Sequence, residues 1–153
     1  MIFDIPGQGK VEIKTLVLDL NGTLAVNGKL VEGVKERLDE LNKKDLEIVF
    51  FSGDTRGNAQ YLANDLGIKF EKASNAADKS KLIEKYEPMK CAAIGNGLID
   101  EIKLSKARIA IVTIQAEGVH KKSLMEADII VPSINDALDL FLDEKKMIAT
   151  MRK

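Results

Sequence analysis

The stretch TLVLDLNGTLA, residues 15–25, decides the fold. Its first six residues form an apolar run that contains Asp19, and Asn21, Gly22 and Thr23 follow directly. A short apolar run that ends in turn-forming residues is typical of a strand buried on both faces, as in a parallel sheet. The stretch therefore predicts a central strand that carries polar groups at its carboxyl end.

On both sides of this strand, apolar runs alternate with amphipathic segments, which predicts an α/β fold with a mostly parallel central sheet. Further strands are predicted at 46–51, 68–71, 90–94, 108–114 and 128–131. Helices are predicted at 31–44, 55–66, 78–87, 98–106 and 119–126, with a final helix from Asn135. A hairpin is predicted within residues 1–13, and a short flap at 21–30 with Asn27-Gly28 as its tight turn.

Length and composition exclude several classes of protein. The 153 residues are enough for one domain, 1–153, with a sizeable core. A net charge of −1 without a clustered basic face argues against nucleic acid as a partner. No apolar stretch reaches 18 residues and the first residues do not resemble a signal peptide, so we expect no membrane association and a cytoplasmic location. The single cysteine, Cys91, excludes an internal disulfide framework.

Polar residues follow three of the predicted strands at the point where each strand ends. Asp19 ends the first strand, residues 52–54 (SGD) follow the second, and residues 95–97 (GNG) with Asp100 follow a third. Ligands of open α/β sheets bind outside the carboxyl ends of the strands. If these strands are neighbours, their polar residues share one crevice.

The residue types in this crevice fit phosphoryl transfer. Glycines let backbone N–H groups approach phosphate oxygens, and a lysine supplies a compact positive charge. Carboxylates and carbonyl oxygens are the ligands that Mg²⁺ prefers. A carboxylate can also attack phosphorus and form an aspartyl-phosphate, which divides one difficult reaction into two steps.

Four segments, in order, resemble the four motifs of the haloacid dehalogenase (HAD) superfamily of hydrolases. LVLDLNGTLA (16–25) resembles the first motif, FFSGDT (50–55) the second, Lys79 the third, and GNGLID (95–100) the fourth. The resemblance implies a three-layer, Rossmann-like sandwich and a Mg²⁺-dependent phosphohydrolase. The segment 52–68 resembles most closely the phosphorylation domain of P-type ATPases, although no nucleotide-binding insertion or membrane helix is present.

The spacing of the motifs indicates that the chain has no cap domain. Thirty-one positions separate Asn21 from Ser52, and 27 separate Ser52 from Lys79. These gaps hold only the flap, two helices, a strand and loops. We therefore expect an open site in a single domain, and capless relatives imply a homo-oligomer in which another subunit covers it.

The resemblance also implies a role for each site residue. Asp19 would be the nucleophile, and Asn21, Ser52 and Lys79 would complete the catalytic set. The phosphate would be bound by Gly22, Ser52, Gly53 and Lys79. The metal would be held by Asp19, the carbonyl group of Asn21, Asn96 and Asp100.

Two asparagines depart from the usual pattern of the superfamily. Asn21 stands where an Asp acts as general acid and base, and an amide exchanges no proton near neutral pH. The loss of such help typically costs ~10²–10⁴-fold in rate. P-type ATPases also lack Asp at this position, so we expect slow turnover, a long-lived phospho-aspartate and a preference for good leaving groups. Asn96 replaces the first metal-binding carboxylate, which weakens the expected Mg²⁺ site.

Alternatives remain open at this stage. The chain is expected to hydrolyse a phosphorylated small molecule or a phosphoprotein. The alternative is a catalytically impaired relative that binds phosphate or a partner protein, and a third is an assembly subunit. Outside the motifs, Asp54 is expected to cap a helix, His120 to lie at the surface and Cys91 to lie in the core.

Overall fold

The structure, a computed structural model, describes all residues from 1 to 153. Its strands are β1 (Ile2–Ile5), β2 (Gly9–Glu12), β3 (Thr15–Asp19), β4 (Ala25–Val26), β5 (Lys29–Leu30), β6 (Glu47–Ser52), β7 (Lys69–Lys72), β8 (Cys91–Gly95), β9 (Ile109–Thr113) and β10 (Ile129–Val131). Its helices are α1 (Val34–Leu41), α2 (Ala59–Leu66), α3 (Ala76–Glu84), α4 (Glu101–Lys106), α5 (Lys121–Met125), α6 (Ile134–Leu142) and α7 (Glu144–Met151). None of the helices combines the length and the apolarity needed to cross a bilayer.

The central sheet has six strands in the order β10-β9-β8-β3-β6-β7, and every neighbouring pair is parallel. This confirms the predicted α/β class. The strand β3 lies near the middle, between β8 and β6, so the three strands whose ends carry the predicted site residues are adjacent. Their carboxyl ends consequently meet at one edge of the sheet.

The sheet is covered on both faces, which gives three layers. Leu16 and Leu18 of β3 belong to the larger core, which also contains buried residues of α1, α2, α6 and α7. Val17, between them, belongs to the smaller core with buried residues of α3 and α4. Because successive side chains of a strand point to opposite faces, β3 contributes to both cores. The five residues of β3 are all buried, as the apolar run predicted.

Two short hairpins lie outside the central sheet. β1 and β2 pair antiparallel, as the sequence predicted. β4 and β5 form the flap that follows β3, and their turn is Asn27-Gly28, with φ of 52° and 76°. Positive φ at both turn residues is the conformation that favours Asn-Gly in tight hairpins. The predicted flap is thereby confirmed.

Several predicted helix boundaries were wrong, among them both ends of α1, which spans 34–41 rather than 31–44. α2 begins at Ala59 rather than at 55, because Asp54 and Gly57 have positive φ and cannot continue a helix. α3 begins at Ala76, where the Asn75 side chain accepts a hydrogen bond from the amide of residue 78. The C-terminal segment forms two helices instead of one. The chain breaks at Asp143, whose carboxylate accepts the amide of residue 145 and caps α7.

Candidate active site

A cavity of about 240 Å³ lies at the edge of the sheet where β3, β6 and β8 end. Asp19 is the last residue of β3, Ser52 is the last residue of β6, and Asn96 follows β8 directly. Six of the predicted site residues line this cavity: Asp19, Asn21, Ser52, Gly53, Lys79 and Asn96. The strand order therefore brings together groups that are up to 77 positions apart in sequence.

Asp19 and Lys79 form a buried ion pair in the cavity wall. The Nζ atom of Lys79 donates a hydrogen bond to Oδ1 of Asp19 at 2.5 Å. The Lys79 side chain is 2% exposed and the Asp19 side chain 11%, so only the carboxylate retains some access to solvent. A ligand that enters the cavity thus meets an aspartate oxygen with an ammonium group beside it.

Asp100 lies below Lys79 and is fully buried. Its Oδ1 accepts a hydrogen bond from Lys79 at 2.8 Å, and its Oδ2 accepts the backbone amides of Asn96 and Gly97, both at 3.1 Å. The side chain therefore joins the turn after β8 to the lysine that contacts Asp19. In this arrangement Asp100 orients Lys79 rather than lining the cavity.

Lys103 is a second buried lysine, which sequence reasoning did not single out. It follows Asp100 by one helical turn, and its Nζ lies 3.0 Å from Oδ1 of Asp100. The same ammonium group donates to the carbonyl oxygen of Ile94 at 2.9 Å. The i, i+3 spacing could have indicated the pair, but the sequence alone did not show that this face of α4 is buried.

Burial and charge shift the pKa values of these groups in opposite directions. Burial raises the pKa of Asp100, but Lys103 and Lys79 outweigh it and hold the pKa at about 2. Burial and the neighbouring charge of Asp100 raise the pKa of Asp19. Burial lowers the pKa of Lys79, but Asp19 and Asp100 raise it above its usual value. Asp100 is therefore the carboxylate held most firmly in its ionised form.

The loop after β6 is held by its own side chains. The Ser52 hydroxyl accepts the backbone amide of Asp54 at 3.1 Å, and the Asp54 carboxylate accepts the amide of Ala59 at 2.9 Å. Asp54 thus accepts the first amide of α2, as a capping side chain would, although the N-cap position itself is Asn58. The hydroxyl of Ser52, which is buried and lines the cavity, is left with its proton to donate to a ligand.

Gln115 fixes the loop after β3, and sequence reasoning missed it. Its side-chain amide donates to the carbonyl oxygens of Gly22 at 3.1 Å and Thr23 at 2.7 Å. Its side-chain oxygen accepts the amide of Ile134 at the start of α6. No motif indicates such a contact, because the two loops are more than 90 positions apart.

Asn96 is held at the cavity by contacts on both sides. Its side-chain nitrogen donates to the carbonyl oxygen of Gly118 at 3.0 Å, and its side-chain oxygen lies 3.4 Å from the Thr23 hydroxyl. Gly22 does not line the cavity but packs against this amide. With φ of +78°, and with a built Cβ only 2.4 Å from the Asn96 nitrogen, position 22 admits only glycine.

The oxygen donors at the cavity fit a hard divalent cation. Asp19, Asn21 and Asn96 line the same space and offer a carboxylate, a backbone carbonyl and an amide oxygen. Only the carboxylate of Asp19 among these three donors carries a charge. No group of three His, Cys, Asp or Glu side chains lies in metal-binding proximity. The exposed Glu117 also lines the cavity, as do Thr55 and Ser74, and none of these three was predicted.

The remaining sequence predictions concern residues outside the cavity. His120 is exposed, and its ring nitrogen accepts the amide of Lys122 at the start of α5. Cys91 is fully buried in β8. Both predictions are confirmed.

Comparison with known proteins gives the chain a family context. The family model described as haloacid dehalogenase-like hydrolase matches residues 6–107. A soluble P-type ATPase-like phosphatase from Methanocaldococcus jannaschii is 28% identical over 133 residues. That match covers 84% of this chain and 49% of the relative, so the chain spans about half the length of this curated relative.

Two solved structures are also similar. The catalytic domain of the CPx-ATPase CopB-B is 28% identical, with a TM-score of 0.64 over 75% of this chain and 46% of that one. The 3-deoxy-D-manno-octulosonate 8-phosphate phosphatase from Moraxella catarrhalis, solved with magnesium and phosphate ions, has a TM-score of 0.70 at 18% identity. The match covers 92% of this chain and 94% of the phosphatase chain. At this sequence identity, the similarity supports the fold alone.

Proposed function

Because the chain belongs to the haloacid dehalogenase-like hydrolase family, we propose that it is a phosphatase that transfers a phosphoryl group to Asp19 and then to water. The observation that carries the proposal is the pair of Asp19 and Lys79 in the wall of a polar cavity. One carboxylate oxygen, Oδ1, is bound by the ammonium group, so Oδ2 is the oxygen left to attack. The CPx-ATPase and the soluble phosphatase named above support the same chemistry by similarity.

The first step forms a bond between a carboxylate oxygen of Asp19 and phosphorus, while the bond from phosphorus to the leaving-group oxygen breaks. The leaving group departs with the electron pair of that bond. Lys79, the hydroxyl of Ser52 and the amide of Gly53 would donate to the phosphate oxygens, which is supported by the position of all three residues in the cavity lining. In the second step, water attacks phosphorus, the carboxylate of Asp19 is restored and inorganic phosphate leaves.

A magnesium ion bound by Asp19, the carbonyl group of Asn21 and Asn96 would neutralise charge on the phosphate oxygens. Asp100, the fourth predicted metal ligand, instead accepts hydrogen bonds on both of its oxygens from protein groups. We propose that its main task is to hold Lys79 in place. Its predicted contribution to metal binding remains a prediction.

Asn21 sets the rate and the choice of substrate in this proposal. It is exposed and lines the cavity, but its amide cannot protonate a leaving group. Substrates whose leaving group needs no proton, such as aryl and acyl phosphates, should therefore react fastest. The second step should be slow, because no carboxylate at position 21 activates the water.

The open cavity suits a phosphorylated small molecule or a phosphorylated side chain of a protein. Neither the flap nor another segment forms a cap over it, and the chain is proposed to act as one domain, 1–153. We propose that a second copy of the chain covers the cavity and that the protein acts in the cytoplasm.

Turnover of p-nitrophenyl phosphate with Mg²⁺ tests the proposed function. The protein should release phosphate slowly but measurably, and Asp19→Asn should abolish the release. Asp4→Asn provides a matched control, since Asp4 is an exposed residue of β1 far from the cavity in the fold. Release by Asp19→Asn at the rate of the unmodified protein would contradict the proposal.

The alternative function is phosphate binding without catalysis. It is favoured by Asn21 and Asn96, which replace two carboxylates that the family uses. Phosphate binding, detected by the chemical shifts of the backbone amides of Ser52 and Gly53, with no phosphate release from any activated substrate would support it.

A further inference from the structure

Lys103 is a buried charge that the proposed mechanism does not use. It is 0% exposed, and its Nζ lies 2.9 Å from the carbonyl oxygen of Ile94 and 3.0 Å from Oδ1 of Asp100. A buried ammonium group is costly unless it is paired and hydrogen-bonded. Asp100 and the carbonyl oxygen of Ile94 are the partners that compensate the burial of Lys103, so the lysine is linked to the active site through Asp100.

The carboxylate of Asp100 has no free position for another ligand. Its Oδ1 contacts the ammonium groups of Lys79 and Lys103, and its Oδ2 accepts the amides of Asn96 and Gly97. An ionised carboxylate offers about four lone-pair sites, and four donors use them. A divalent cation could bind Asp100 directly only if one of these donors left.

The buried acidic and basic side chains of the site are equal in number without a metal. Ion pairs join Asp19 and Asp100 to the two buried lysines, Lys79 and Lys103. A divalent cation would therefore add two unbalanced positive charges beside these buried groups, whereas a phosphate dianion would restore neutrality. Glu117, the other acidic residue of the cavity lining, is exposed, so solvent screens its charge.

We propose that Lys103 acts as a tethered cation on Asp100, so that a divalent cation binds this site firmly only together with phosphate. The inference rests on the proposed function in one respect, namely that phosphate binds beside Lys79. Lys103 is therefore a positioning residue: it acts through Asp100 and does not contact the substrate.

Binding of Mn²⁺, followed by the electron paramagnetic resonance signal of the free ion, provides the test. In the unmodified protein, inorganic phosphate should tighten Mn²⁺ binding at least tenfold. An equal Mn²⁺ affinity with and without phosphate would overturn the proposal. This measurement requires no variant to fold and no turnover to occur.

Two variants isolate the charge of Lys103. Lys103→Met removes the ammonium group, and Lys103→Gln removes the charge but retains a donor, should the methionine variant not fold. In the absence of phosphate, either variant should bind Mn²⁺ at least tenfold more tightly than the unmodified protein. Unchanged or weaker binding would refute the role of Lys103.

The control is Lys106→Met on the same helix. The ammonium group of Lys106 donates to Glu84 and does not contact Asp100. This variant should change the affinity less than twofold.

A double variant separates this role from a merely structural one. Lys103→Met with Asp100→Asn removes one charge of each sign, so its Mn²⁺ affinity should return to that of the unmodified protein. A purely structural role for Lys103 predicts no such reversal. Because the affinities of the variants are measured without phosphate, and because none of the measurements requires turnover, the inference can stand or fall independently of the phosphatase assay.

Discussion

At the scale of single residues, the proposed chemistry depends on two side chains. Asn21 lacks a carboxylate, and Asp100 keeps its negative charge although it is buried. An amide at position 21 leaves Asp19, the proposed nucleophile, in place but lacks the acid–base group that would activate water. Asp100, by contrast, is a carboxylate whose ionised form is stabilised by two lysines in the protein interior. Both statements lead to measurable predictions.

Asn21→Asp should accelerate dephosphorylation of the protein. A carboxylate at this position can accept the proton of the attacking water, a contribution typically worth ~10²–10⁴-fold. The decay of the phosphorylated protein after removal of the phosphoryl donor measures this rate directly. Asn64→Asp, at an exposed position of α2, controls for the added charge. A decay rate equal to that of the unmodified protein would show that position 21 does not limit turnover.

The ionised Asp100 should stabilise the fold in a defined range of pH. Its pKa of about 2 in the folded protein lies below the ordinary value of 3.8, so folding favours the ionised form. The resulting stabilisation, on the order of 2 kcal/mol, is complete above about pH 4 and is lost as the pH falls towards 2. The ¹³C chemical shift of the Asp100 carboxyl, followed by NMR between pH 2 and 6, measures the pKa. A midpoint above 4 would contradict the assignment.

At the scale of elements, the turn between β8 and α4 positions Asp100, and it can do so only because residue 95 is a glycine. Asp100 folds back over Gly95, where a Cβ would lie 2.6 Å from the Asp100 carboxyl carbon. That distance is shorter than real Cβ contacts allow, so the side chain at position 95 must be absent for Asp100 to reach its partners.

Gly95→Ala should therefore destabilise the protein and displace Asp100. Insertion of a methyl group into a packed interior typically costs 1–3 kcal/mol. Gly97→Ala is the matched control, because its Cβ would meet its nearest neighbour at 3.5 Å and its φ of −87° suits any residue. Urea denaturation of both variants gives the comparison. Equal stabilities would mean that the turn relaxes around the added methyl group.

The elements also show what the sequence could predict. The strands β3, β6 and β8 were evident from apolar runs that end in polar residues, and these strand ends led to Asp19 and Ser52. Lys79, which lies on α3, was identified from the resemblance to the third family motif. The start of α2 was not evident, because the apolar pattern does not show that Asp54 and Gly57 adopt positive φ and delay the helix to Ala59. Lys103 was missed for a related reason, since a lysine in a charged helix is ordinarily expected in solvent.

At the scale of the whole molecule, the parallel sheet assembles the site. Asp19, Ser52 and Asn96 come from three strands that are adjacent in space but not in sequence, and α3 and α4 add Lys79 and Lys103 from one side. Gln115 was beyond sequence reasoning because its three partners belong to a distant loop and to α6. At this edge the molecule presents the carboxylate of Asp19, the proposed nucleophile, among donors of hydrogen bonds.

The most direct measurement is therefore the location of the phosphoryl group after reaction with acetyl phosphate and Mg²⁺. Reduction with borohydride converts a phosphorylated aspartate to homoserine, which mass spectrometry of the peptides can assign to a position. The account predicts homoserine at position 19 alone, and none in the Asp19→Asn variant. Homoserine at another aspartate, or a phosphorylated protein that persists in that variant, would contradict it.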